Sequence, residues 1–300
     1  MKYSGLYYIP ATSPELSTAL LNNLVSSLES HFAHPVRLGL WALHHRLLRS
    51  VPPPARSNAP PVHEPTSYIH ILQLSYLSTA RVHCYIQPSV HPAGSQTPLL
   101  KPDAGPPVQG QSGLPVPSQN IAPGSKGSGT MIAIPASQSE AHTGLLVNQF
   151  SPLWAFRHAL SVQNGITFGI GQFTVHIGEL RSLRGRDMAT APGVGVVVCI
   201  TTNTSGQDVW ASGVDEEGED GYEELGGTGS GENGMAEVEE VVDFKDMQTD
   251  IRNVWGLVKD GVELGRGEVR DMMMAEETLP AGKGNEATVR MWCEVLRLRG

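Results

Sequence analysis

FSPLWAFRHALSVQNGITFGIGQFTVHIGELRSL, residues Phe150 to Leu183, decides the fold class. Asn164-Gly165 stands between Leu160/Val162 and Ile166/Phe168/Ile170. Asn-Gly between alternating apolar residues is a strong hairpin signal, because a type I′ turn needs positive φ at both central positions. Gly169 to Gly171 predicts a second tight reversal, and Phe173/Val175/Ile177 alternate again. The stretch reads as a β-meander of short antiparallel strands, and it contains no catalytic constellation.

Working outward, the same alternation recurs. Tyr3–Ile9 predicts a strand, and Ser13-Pro14-Glu15 opens a helix: a hydroxyl cap, proline at the first helical position, then a carboxylate near the positive end of the dipole. Leu16, Leu20, Leu24 and Leu28 make its apolar stripe, and it ends near Phe32. Val36–Leu48 predicts a strand. Tyr68–Tyr76 and Ala80–Gln87 form a hairpin, with Val82, Cys84 and Ile86 on one face. Ser137–Phe150 predicts a helix. Gly193–Thr201 is a continuous apolar run suited to a central strand buried on both faces. Met247, Ile251, Val254, Trp255 and Val258 mark a further helix, and Val289, Trp292, Val295 and Leu296 a last one.

Two segments do not fit a core. Residues 88–129 are rich in Pro, Gly, Ser and Gln, and residues 202–242 are acidic and Gly-rich. Such compositions bury too little apolar surface to offset chain entropy, so both read as disordered insertions. Val51 to Pro65 reads as Pro-rich and irregular. The remainder is one α+β domain: an antiparallel, β-barrel-like sheet flanked by helices.

The whole-chain charge of -9 comes from one place. Asp215 to Asp243 holds twelve of the 30 carboxylates and no Lys or Arg; without it, 18 acidic face 21 basic side chains, a net of +3. That is no field for non-specific nucleic-acid binding. Three scattered cysteines lack CxxC spacing, so neither a disulfide framework nor a zinc site is expected, and Cys84 and Cys199 read as buried hydrophobes. The N-terminus lacks a signal-peptide pattern, and no run of about 18 apolar residues exists to span a membrane.

Chemistry is sought and not found. His44 and His45 are adjacent in a strand, face opposite ways and cannot chelate one ion; the pair reads as exposed or half-buried. His70 and His83 read as cross-strand neighbours on a solvent-facing side. No nucleophile elbow, zinc-protease, P-loop or kinase signature occurs, and Gly165, Gly169 and Gly171 read as turn formers. Arg181, Arg184 and Arg186 make a small basic cluster, and Trp154, Phe156, Phe168 and Phe173 are core candidates and interface anchors alike. Trp154, Phe156, Arg181 and Arg184 are therefore the candidate partner-binding residues, with no catalytic, cofactor or metal residue assigned.

GLYYIP with its capped helix, WALHHRLLR, YIHILQLSY, the opening stretch and ATVRMWCEVLRLRG together resemble the fungal form of the Mediator subunit 20 family, in an order covering about two-thirds of the chain. The resemblance implies a nuclear, non-enzymatic coactivator subunit of the Mediator head module, built as an antiparallel barrel flanked by helices. It implies pairing with the similarly folded subunit 18, tethering through subunit 8, and indirect contact with other head subunits and the RNA polymerase II machinery. It implies no cofactor, no membrane and no sequence-specific contact with nucleic acid. The alternative is a small-molecule-binding or hydrolytic β-barrel enzyme using His70 or His83 with a nearby carboxylate.

Overall fold

The computed structural model describes residues 2–51, 66–87, 129–183, 193–203, 244–265, 267–274 and 284–297. The order is β1 (Lys2–Pro10), α1 (Pro14–His31), β2 (Val36–Ser50), β3 (Tyr68–Leu74), β4 (Arg81–Gln87), β5 (Thr130–Pro135), α2 (Ser139–Gly144), β6 (Trp154–Ile170), β7 (Phe173–Ser182), β8 (Gly193–Asn203), α3 (Phe244–Val258), β9 (Arg270–Met273) and α4 (Gly284–Arg297). The strands form one sheet in the order β5-β4-β3-β2-β6-β7-β8-β1-β9. Every pairing is antiparallel.

Local chemistry explains the elements. Ser13 caps α1 by accepting from the Leu16 amide at 3.3 Å, Pro14 takes the first helical position, and Leu20, Leu24 and Leu28 are buried. The helix stops at His31, with Phe32 extended behind it. β8 is buried from Val194 to Ile200, so both of its faces are covered as its apolar run predicts.

Those two faces meet different helices. On β1, Tyr7 stacks on Trp255 of α3 with centroids 4.4 Å apart, and Gly5 lies under Ile251 of the same helix. The other side belongs to α4, which touches β1 and β9 near one end of the strand order and β3 and β4 near the other. One helix can reach both only if the sheet curls around it. The result is barrel-like but open: β5 and β9 are edges that pair with no further strand among the described residues. A second apolar cluster of Leu48, Ile69, Ile71, Val82, Cys84 and Leu146 lies against α2 and the π turn that follows it.

Several expectations change. Asn164-Gly165 makes no turn. β6 runs 17 residues straight through it with an extra residue relative to both neighbours, a β-bulge. The hairpin closes at Gly171-Gln172, between paired Ile170 and Phe173, with Gly171 at φ +55. The meander is thus two long strands. The predicted helix over 137–150 is a 3₁₀ turn (Ala136–Gln138), α2 and a π turn (Leu145–Gln149) in series. β8 continues to Asn203, past the expected start of the acidic segment. β9 was not expected at all. The rest of 202–242, with residues 88–128 and 52–65, lies outside the described residues.

Candidate interaction surface

The concave side of the sheet is filled. Trp41 donates from its indole Nε1 to the Ile177 carbonyl at 3.2 Å and lies 5.9 Å, centroid to centroid, from Trp292 of α4. Trp292 donates in turn to the Tyr76 hydroxyl at 2.7 Å, and Tyr76 stacks on His176 at 4.0 Å. This leaves the interior packed with aromatic rings rather than open as a ligand chamber.

A buried histidine group lies further along the same face. His45 Nε2 and His70 Nδ1 are 3.1 Å apart, and the His158 ring is 5.8 Å from that of His45. His70 Nε2 meets Gln87 Oε1 at 3.4 Å, and Gln87 donates to Glu294 of α4. Burial pushes His45 well below the usual histidine value, helped by the neighbouring rings. It takes His70 down to about 3, against the opposing pull of Gln87. Both rings are therefore neutral packing groups. Two expectations are corrected here: His45 is fully buried although His44 is exposed, and His70 is buried rather than solvent-facing. His83 shares its face one row away, opposite Leu72, while Tyr85 stands opposite His70. The enzyme alternative paired His70 or His83 with a nearby carboxylate; the direct partners of His70 are histidine, glutamine and tyrosine instead. Among the described residues no three His, Cys, Asp or Glu side chains converge as a metal site. No described helix is long and apolar enough to cross a membrane.

The surface carries the remaining chemistry. Of the residues singled out in the sequence, Phe168 is wholly buried and Phe173 packs half-buried against the core. Trp154 is half-buried against the second cluster, whereas Phe156 is 47% exposed. Arg181 is paired with Glu179 at 2.8 Å; Arg184 and Arg186 lie outside the described residues. Sequence reasoning missed what surrounds Phe156. Val51, Leu145, Phe150 and Leu153 are all exposed, Leu153 by 57%. Backbone bonds gather them at one corner: the Val51 amide donates to the Leu153 carbonyl, and the Leu153, Trp154 and Phe150 amides bond within the same turn. A second apolar strip is Val36, Leu38 and Leu40 on β2. β3 pairs with β2 only from Leu43 onward, so that half of β2 has one edge without a strand partner among the described residues.

A packed interior with its exposed chemistry on the rim is the build of an α+β interaction module. Residues 1–255 match the family model described as the TATA-binding related factor (TRF) of subunit 20 of the Mediator complex. The chain belongs to the Mediator subunit 20 family, and its role is that of a Mediator subunit. No curated protein sequence matches it. Among solved structures it is similar to the PH1819 protein from Pyrococcus horikoshii OT3, with 8% identity, TM-score 0.34, and 89% of this chain and 93% of that one covered. It is also similar to a chain of the Schizosaccharomyces pombe Mediator head module, with 10% identity, TM-score 0.27, and 69% and 84% covered. The family assignment rests on the sequence match alone.

Proposed function

We propose that the protein is a non-enzymatic scaffold of the Mediator head module in the nucleus. It pairs with subunit 18, is held through subunit 8, and bridges regulatory factors to the RNA polymerase II initiation machinery. The family match over residues 1–255 carries the reading. Its physical support is a filled interior combined with exposed apolar groups at the rim, which suits burial of surface against a partner. Trp154 and Phe156 supply apolar contact and Arg181 a charge at the edge; Arg184 joins them on sequence grounds.

Co-expression with subunits 18 and 8, followed by size-exclusion chromatography, tests it. Stable co-elution is expected, weakened by Phe156→Asp. A chain that elutes as a monomer in their presence overturns the reading.

A further inference from the structure

The free edges of the sheet are unequal in character. β9 is four residues long and carries Arg270 and Asp271. The half of β2 without a second partner strand is bulged at Arg37/Gly39 and again at Trp41/Leu43. Charge, shortness and bulges all discourage another strand from pairing. β5 has none of these: Thr130–Pro135, TMIAIP, is of ordinary strand length, holds no charged residue and pairs with β4 in unbroken register. Its Ile132 side chain is 49% exposed, and Ala133 is exposed as well.

The outward groups of β5 follow from its inward ones. The Ala136 amide donates to the Ala80 carbonyl at 2.8 Å, so the bonded rows toward β4 are Val82/Ile134, Cys84/Ile132 and Ile86/Thr130. Met131 and Ala133 alternate with these and aim both N–H and C=O outward, where no strand among the described residues meets them. Beyond them the row stops. Pro135 has no N–H, and the Gly129 carbonyl already accepts from Arg290 of α4 at 3.4 Å.

We infer that the outer edge of β5 takes an extended, uncharged segment of a protein partner as a further strand, with an apolar β-branched side chain beside Ile132. The edge selects its occupant. N–H and C=O groups offered at alternate residues fit extended backbone and not a helix. The chain's own long segments are poor strands: residues 88–128 are interrupted by proline throughout, and residues 204–243 are rich in Gly and carboxylates. A second copy is not selected either, because two outward residues and one exposed isoleucine fall far short of the roughly 800 Å² per partner of a stable pair. A segment anchored elsewhere on its own protein needs no such area, since the anchor keeps it at high local concentration. The inference deepens the scaffold reading and rests on it in taking the partner to be a protein.

The test uses the full chain and a fluorescein-labelled peptide of about seven residues, alternating Val and Thr with blocked ends. Saturable binding by fluorescence anisotropy is expected, and none for the same peptide N-methylated at every amide. Ala133→Pro removes an outward donor without touching the β4 ladder and weakens binding roughly tenfold or more. Leu40→Ser, on the half of β2 that lacks a second partner strand, leaves it unchanged. Cooperative urea unfolding of each variant shows that the fold is intact. Hydrogen exchange of the unaltered chain gives a second readout: the peptide slows the amides of Met131 and Ala133 more than those of Ile132 and Ile134, which β4 already holds.

The inference is overturned by absence of binding, by equal affinity of the Ala133→Pro chain, or by uniform slowing at all four amides. Concentration-dependent self-association that Ala133→Pro abolishes overturns it by making a second copy the occupant. Binding only after deletion of residues 88–128 overturns it by making the chain's own segment the occupant. Subunits 18 and 8 are absent from the assay. Its failure leaves that pairing standing, and loss of that pairing leaves the peptide result standing.

Discussion

A β-carbon added to Gly165 would sit 2.2 Å from Nε1 of Trp41. The indole therefore lies directly on the β6 backbone, and Gly178 on β7 clears its far edge, where a β-carbon would come within 2.9 Å of Cζ2. Gly165→Ala forces that ring and its bond to the Ile177 carbonyl to move, and we expect a loss of about 2–3 kcal/mol. Gly171→Ala, in open space at φ +55, costs only the left-handed backbone penalty of about 1–2 kcal/mol. Urea midpoints of the two variants compare them. If Gly171→Ala proves the more damaging, Trp41 is not the constraint.

Trp292 is wholly buried on α4, and its N–H is satisfied by Tyr76. Tyr76→Phe removes the acceptor and leaves a buried donor unpaired, an expected cost of about 1–3 kcal/mol. Trp292→Ala removes the ring as well, at about 3–5 kcal/mol. Because α4 reaches strands near both ends of the sheet, the second variant also loosens strands far apart in the strand order. Hydrogen exchange in β1 and β3 together reads this; faster exchange in one alone contradicts the bridging role.

Stability should fall as the solution is acidified. Burial takes His70 and His176 from 6.5 to about 3, with the Lys2 charge adding to the shift at His176. Between those values the unfolded chain takes up protons that the folded chain refuses, so each histidine's contribution is complete above about pH 6.5 and is lost progressively toward about pH 3. At about pH 5 the loss is of order 2 kcal/mol per histidine. Unfolding titrations from about pH 7.5 to 5 measure it. Replacing His176 with Asn should flatten the slope by close to one proton; an unchanged slope would show that His176 titrates normally in the fold.

All three cysteines are buried and free. Burial raises Cys84 to about 11 and Cys199 to about 12, and it raises Cys293 as well. Native protein should therefore resist thiol reagents at neutral pH and react at all three positions once unfolded. Labelling followed by mass spectrometry gives the count. Rapid native labelling of Cys293 would mean that α4 undocks readily.

Much of the fold was legible because alternation and helical stripes are local. α1, β8, α3 and α4 follow from residues that stand beside one another in the chain. Asn164-Gly165 misled because the same dipeptide that suits a turn also suits a bulge under a large ring. Only Trp41, more than a hundred residues earlier, decides between them. β9 was missed because Arg270-Asp271-Met272-Met273 has no alternation of its own and becomes a strand by pairing with Gly5–Tyr8. His45 and His70 look like surface polar residues until the register of β2 and β3 turns both toward α4. Phe156 was singled out in the sequence, but the exposed Val51, Phe150 and Leu153 were not. An apolar side chain announces burial, and only the packing of the corner reveals the exception.

The antiparallel pairing of β1 has a consequence for how the protein is made. Ser4 bonds Thr201, 197 positions later, and Tyr3 donates to the Met274 carbonyl, 271 positions later. At translation rates of about 5–20 residues per second, the first strand waits roughly 10–40 s for its first neighbour. During that wait its LYYI core and the leucine face of α1 have nothing of their own to pack on. The apolar face of the first strand and helix therefore stays uncovered on the nascent chain until β8 has left the ribosome.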